Sequence, residues 1–406
     1  MTWTTGRVLR DRNATLYLGG VLVSGFGSSA MWLVSGVWVK DLTGSNSLAA
    51  LAGFALWLPV LAGPLLGTLA DRVPRRPLLV LTNLGLAALL MSLLAVDSAE
   101  RIWLLFAVLL VYGAAGVVHD AAEAALVASA VGKELLGDFN GLRMTANEGM
   151  KLLAPLAGAG LFAAYGGTRV ALLDALTFAA AAGLYTLLRI REEPPAPPTE
   201  GWWRRSAEGA RHLWKRPELR LLTLAGGFTM LLAGVNGALI FAVVDEGLDR
   251  SPASVGVLYA VQGAGSVAVG LVSGPLLRRL GERGFAAAGL GLFSVAVALR
   301  ALPYDTAALA ASAAIGIGLP AVLIAALTAV QKQTPDELLG RAAASANTLV
   351  FAPNALALGA GAGLVALVDH RLLLVALGLA GLAAVPSLLR GPRTPEIRCT
   401  RPRIAP

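Results

Sequence analysis

Hydrophobic residues fall along this chain in runs about 20 residues long, the length that crosses a bilayer as a helix. The runs are too long for strands and lack a strand's alternation of apolar and polar positions. They predict an all-α membrane protein with twelve spans, near 16–39, 48–70, 77–96, 102–127, 140–165, 168–189, 219–243, 254–277, 284–302, 306–331, 342–368 and 371–390. No small-residue cleavage site follows the first run before Lys40 and Asp41, so it reads as a retained span rather than a cleaved signal.

The polar stretches carry the orientation. Of 33 lysines and arginines, 26 fall in one set of loops and termini, six in the alternate loops (Lys40, Arg101, Arg169, Arg250, Arg300 and Arg371), and Lys151 sits inside a span. Basic loops stay in the cytoplasm, so both termini are expected there, in a bacterial plasma membrane. Composition agrees: 56% of the 406 residues are hydrophobic and 14% charged, against about a quarter charged in ordinary soluble chains. That excludes a soluble enzyme, a nucleic-acid module and a secreted disulfide scaffold. The one cysteine, Cys399, has no partner in the chain. The net charge of +8 belongs to topology, with no nucleic-acid partner implied.

The chain repeats itself in order. Glu134-Leu-Leu-Gly137 returns as Glu337-Leu-Leu-Gly340, Gly63-Pro-Leu-Leu66 as Gly274-Pro-Leu-Leu277, and Ala154-Pro155 as Ala352-Pro353. Two six-helix bundles in parallel repeat follow. The domains read as 1–190 and 219–392, joined by a cytoplasmic linker at 191–218 and followed by a basic tail at 393–406. In the linker, a proline-rich extended stretch precedes Trp202, Trp203, Leu213 and Trp214 mixed with arginines and lysines. That mixture predicts a helix lying on the inner membrane surface.

The loop Gly67-Thr-Leu-Ala-Asp-Arg-Val-Pro-Arg-Arg76 resembles the signature of the major facilitator superfamily. Gly67, Leu69, Asp71, Arg72, Arg75 and Arg76 stand at matching positions, and Pro74 replaces a usual glycine. Asp41-Leu-Thr-Gly-Ser45, Asp174-Ala-Leu-Thr-Phe178, Gly209 to Leu219 and Pro335 to Arg341 are similar to segments of the macrolide-efflux and enterobactin-exporter branch. The resemblance implies that Asp71 faces the amino end of span eleven, where the helix dipole favours an anion. It also implies that Arg72 pairs with Asp120 or Glu123 at the inner end of span four, so that the loop gates the cytoplasmic side. Topology alone accounts equally well for Arg75 and Arg76.

A charge at membrane depth is costly and marks function by default. Glu148 and Lys151, three residues apart on one face of span five, can pair there. They read as a proton-coupling or substrate site, with a structural ion pair as the competing reading; Asp174 in span six is a further candidate for that site, against a structural role that its position favours. Pro155 with Gly158, and Pro353 in the repeat, read as helix pivots. The resemblance implies a cavity for which Trp32, Trp38, Trp57, Tyr112, Asn236, Tyr259, Gln262, Asn347, Phe351 and Asn354 are the aromatic and amide candidates. Leu109 stands where many proton-coupled exporters of the superfamily carry an arginine. No His/Cys metal constellation and no phosphate-binding loop is present. The leading expectation is therefore a monomeric exporter of an amphipathic small molecule by proton antiport, without a cofactor. A nutrient importer and a non-transporting sensor or lipid-handling protein are the competing ones.

Overall fold

A computed structural model describes residues 10–63, 66, 73–130, 136–189 and 202–390, and among them the regular structure is helical. Helix α1 (Arg12–Thr43) begins where Asp11 accepts a hydrogen bond from the Ala14 N–H at 2.8 Å. It ends at Gly44, whose φ of 67° is the left-handed conformation that stops a helix. Ser45 caps α2 (Asn46–Trp57) through the Leu48 N–H, and Pro59 leads its end into a 3-10 turn. Helices α3 (Arg75–Met91), α4 (Ile102–Ala130), α5 (Leu136–Tyr165) and α6 (Gly167–Thr186) complete the N-terminal set. Then follow α7 (Trp202–Lys215), α8 (Pro217–Ala238), α9 (Val255–Leu299), α10 (Asp305–Gln333), α11 (Asp336–Leu367) and α12 (His370–Arg390). Proline at its first position starts α8 at Pro217, inside the segment expected to be linker.

Among the described residues, nine helical stretches are long and apolar enough to cross a membrane. Three features separate that count from twelve. Helix α2 and the Leu153–Tyr165 part of α5 are shorter apolar stretches, and Pro252–Leu299 counts once. The last is 48 residues, or roughly 70 Å at 1.5 Å per residue, more than twice a bilayer core of about 30 Å. Gly281, with φ 69°, breaks it into two arms. Large apolar side chains such as Leu81, Leu271 and Leu372 point outward; in water they would be a liability, whereas acyl chains accept them.

The repeat is visible in the packing. Gly113 of α4 lies against the Leu56 carbonyl of α2, and roughly 200 residues on Gly316 of α10 lies against the Gln262 carbonyl of α9. Small residues let helix backbones approach this closely in a membrane. Gly316→Ala is expected to cost about 1–3 kcal/mol, because its methyl would meet backbone that must shift. Gly270→Ala, with nothing within 4 Å of the new methyl, is expected to be neutral or stabilising. Thermal unfolding of the two purified variants checks the contrast.

Of the larger apolar clusters, one lies within the C-terminal set and one within α1, α3–α6 and the residues just beyond α6. Another joins Met31, Val37 and Trp38 to Ile240, Phe241, Val244 and Val255. It ties the two halves together at the end of the molecule that carries Lys40. At the opposite end of α11, α7 packs on the C-terminal half. Leu213 is fully buried, Gly209 abuts the Arg341 backbone, and Glu208 pairs with Arg341 at 2.5 Å. The helix expected to lie on the membrane surface has one face seated on α11.

Candidate substrate cavity and gate

Between the halves lies a cavity of about 200 Å³. Trp32, Gly36, Ala49, Ala50, Gly53 and Trp57 line it from α1 and α2; Asn236, Tyr259, Gln262, Phe293, Ile315 and Asn354 line it from the C-terminal set. Trp32 and Tyr259 meet edge-on across the divide, their ring centroids 4.9 Å apart. Of the candidates named from sequence, Trp32, Trp57, Asn236, Tyr259, Gln262 and Asn354 are in the wall. Tyr112, Asn347 and Phe351 are not among the lining residues. The Tyr112 ring packs on Phe178 and its hydroxyl is spent on Asp174, Asn347 is exposed on α11, and Phe351 is half-buried elsewhere on that helix. Trp38 is buried against Gly167. Membership of the right helix did not decide which side chains turned inward.

One end of the cavity is closed by polar contacts between the halves. Lys40 Nζ donates to Asp245 Oδ2 at 2.5 Å and to the Gly44 carbonyl at 2.8 Å. Asn46 Nδ2 donates to Glu246 Oε1 at 2.6 Å, and Ser47 Oγ donates to the Ala362 carbonyl. Within the C-terminal half, His370 Nδ1 lies 3.3 Å from Glu246 Oε2. Beside it the Arg371 N–H donates to Asp369 Oδ1 at 2.7 Å, holding that carboxyl below the ordinary carboxylate range. Asp245 and Glu246 sit in a π-helical turn, Val243–Gly247, beyond α8, a widened turn that recurs at functional sites. Phe241 against Gly36 and Phe54 against Gly359 seal the apolar layer beneath.

Lys40 corrects the sequence reading. Placed in a polar turn, it lies in α1 and is 8% exposed, because α1 runs to Thr43 and turns Lys40 toward the other half. Arg300 is a second correction. Read as a loop residue, it is 3% exposed, donating to Asn236 Oδ1 at 3.2 Å and to Ser312 Oγ at 2.8 Å. A lone arginine at the poorly basic end of an apolar run was the available signal, and it was absorbed into the topology count.

Asp174 is fully buried among α1, α4 and α6. Tyr112 Oη donates to its Oδ2 at 3.0 Å, and Thr177 Oγ1 lies 3.2 Å from its Oδ1. Gly27 is required opposite, since a Cβ there would overlap the Asp174 carboxylate and Thr177. Pro155 and Gly158 are buried within α5, Gly158 against Ala30 of α1, and Ala159 meets Gly256 of the C-terminal half. Pro353 lies beside Gly227 of α8. Both prolines lie beside a glycine of a neighbouring helix, Pro155 beside Gly256 and Pro353 beside Gly227.

Gly67, Leu69, Asp71 and Arg72 lie outside the described residues, as do the side chains of Glu123, Glu148 and Lys151. Of the rest of that loop, Arg76 donates from Nε to the Tyr185 carbonyl at 3.3 Å and from Nη2 to the Thr186 carbonyl. A cation there satisfies carbonyls at the C-terminus of α6. Arg75 opens α3, and Asp120 is exposed on α4 beside His119, which stands 3.4 Å from Asn83.

Paired helical sets around a central cavity, sealed across their divide at one end, define a transporter fold. The chain belongs to the Major Facilitator Superfamily, whose model matches residues 17–357 and 228–405. It is 29% identical over 355 residues to the tetracycline resistance protein, class C, of Escherichia coli, covering 83% of this chain and 86% of that protein. Its fold is similar to the crystal structure of the nucleoside transporter NupG, with TM-score 0.71 and 13% identity over 93% of this chain and 98% of that one. It also resembles a bacterial homologue of the iron transporter ferroportin in an inward-facing state, with TM-score 0.70 and 17% identity over 94% and 99%. At such identities the structural likenesses speak for the fold alone.

Proposed function

We propose that this protein is a secondary exporter of amphipathic organic solutes, working by alternating access and proton antiport. The observation that carries the reading is the cavity itself. It is walled by tryptophan, tyrosine and amide side chains from both halves and has no ionised side chain among its described lining residues. It lies beneath a layer of polar contacts between the halves that includes the Lys40–Asp245 ion pair. Such a wall suits an aromatic or macrocyclic solute better than a sugar or a phosphate. The likeness to a tetracycline resistance protein favours export, and the sequence segments point to solutes like those of macrolide-efflux and enterobactin exporters.

In this reading the protein is a monomer in the plasma membrane with both termini in the cytoplasm, and the Lys40–Asp245 end faces outside. Solute enters from the cytoplasm while that gate is shut. The Lys40–Asp245 pair and the hydrogen bonds beside it then part as the cytoplasmic loop around Asp71 closes, and solute leaves. A proton taken up at Asp174 returns inward as the cycle resets. Glu148 with Lys151 is the second candidate for that proton. The proton gradient is the energy source and no cofactor takes part.

Inside-out membrane vesicles test the reading with a panel of tetracycline, a macrolide and a catecholate. Respiration should drive uptake of at least one solute, and a protonophore should abolish it. Uptake indifferent to the protonophore would overturn antiport, and active flux only into right-side-out vesicles would overturn export.

A further inference from the structure

Arg300 is a buried cation without an acid. It is 3% exposed, and its two hydrogen-bonded partners, Asn236 and Ser312, are neutral. No carboxylate pairs with it among the described residues, and its Nε has no hydrogen-bond partner there. A guanidinium left this way keeps much of its field, since little water screens it.

The field reaches the cavity through a direct contact. Asn236 both touches Arg300 and lines the cavity. Arg300 Nη1 donates to Asn236 Oδ1, which fixes the amide orientation: its oxygen is occupied and its NH₂ group is the part left for the cavity. An amide free to turn would offer a donor or an acceptor equally. This one offers donors, with a positive charge behind them. The remaining polar groups of the described wall, on Trp32, Trp57, Tyr259, Gln262 and Asn354, are neutral, so none of the described lining residues repels an anion.

We infer that Asn236, polarised by Arg300, is a subsite for an anionic group of the solute, such as a carboxylate, enolate or phenolate. The inference rests on the cavity being the solute site and narrows the solutes to amphipathic acids. Arg300 is a positioning residue, acting through the amide.

Quenching of cavity tryptophan fluorescence, from Trp32 and Trp57, tests it in the purified full-length protein, with pyrenebutyrate and its uncharged amide as probes. The wild type should bind the carboxylate about tenfold more tightly than the amide, a difference of about 1.4 kcal/mol. Asn236→Leu should bring the two probes to parity, the carboxylate losing its tenfold advantage over the amide. Asn236→Asp gives Arg300 a buried counter-charge and so should fold stably, yet it should reverse the preference. Equal binding of both probes by the wild type would overturn the anion subsite and leave the cavity reading standing; that is what a network merely tying α8 to α10 would produce. Quenching by neither probe would overturn the cavity as the solute site, and the inference with it.

Discussion

Asp174→Asn is expected to abolish proton-driven transport in reconstituted vesicles while leaving the protein folded. The amide is isosteric with the acid, and its oxygen still accepts the Tyr112 hydroxyl that lies 3.0 Å from Asp174 Oδ2. Its NH₂ group can face Thr177 Oγ1, now 3.2 Å from Oδ1, with the threonine oxygen accepting. What the variant loses is the ability to gain and release a proton. Solute exchange without a pH gradient should therefore continue, and flux driven by an imposed gradient should fall to the level of empty vesicles. Asp174→Leu separates chemistry from packing: it leaves the buried Tyr112 hydroxyl without its acceptor, at a cost of about 1–3 kcal/mol, and should lower the unfolding temperature as well. Normal coupling in Asp174→Asn would pass the proton to Glu148, Asp120 or Glu123.

Asp245→Leu is expected to open the Lys40 end of the cavity, and burial says why this side of the pair is the sensitive one. Lys40 is 8% exposed and Asp245 is 41% exposed, so removing the acid strands the buried ammonium on the Gly44 carbonyl, whereas removing the lysine leaves an acid that water can reach. Losing a charged hydrogen bond of this kind costs about 1–3 kcal/mol, and about 1.4 kcal/mol is already tenfold in a two-state population. The readout is a cavity cysteine, Ala50→Cys, in a Cys399→Ser background, labelled from outside with a membrane-impermeant maleimide. Labelling should rise about tenfold in Asp245→Leu and less in Lys40→Met. It should return toward the starting rate in Lys40→Met with Asp245→Leu, where two apolar side chains meet in place of the charges. An unchanged rate in Asp245→Leu would remove the pair from the gate.

The fold was legible because its signal is distributed over hundreds of residues. Apolar runs, basic loops and the ordered repeats each constrain the whole chain, and an error at one position leaves the pattern intact. The Asp71 loop added the family, since six matching positions in ten are specific. The count of spans was harder to recover from the helices, because the two passes of α9 follow each other across a kink at Gly281 with no intervening loop, and α2 ends in a 3-10 turn.

Helix rotation set the limit. Composition determined that this chain crosses a membrane, and loop charge gave an expected orientation, since both follow from the cost of moving polar groups out of water. Whether Lys40 ends in solvent or against Asp245, or Arg300 in a loop or behind Asn236, turns on a few tens of degrees of rotation and on whether a helix runs three residues further. Tyr112 and Asn236 were equally plausible cavity residues by type and by helix. Packing turned one onto Asp174 and the other into the cavity wall. Only the tertiary structure decided these cases, because burying a charge or an amide is tolerable only beside a specific partner, and those partners lie on other helices, in the case of Lys40 and Asp245 more than two hundred residues away.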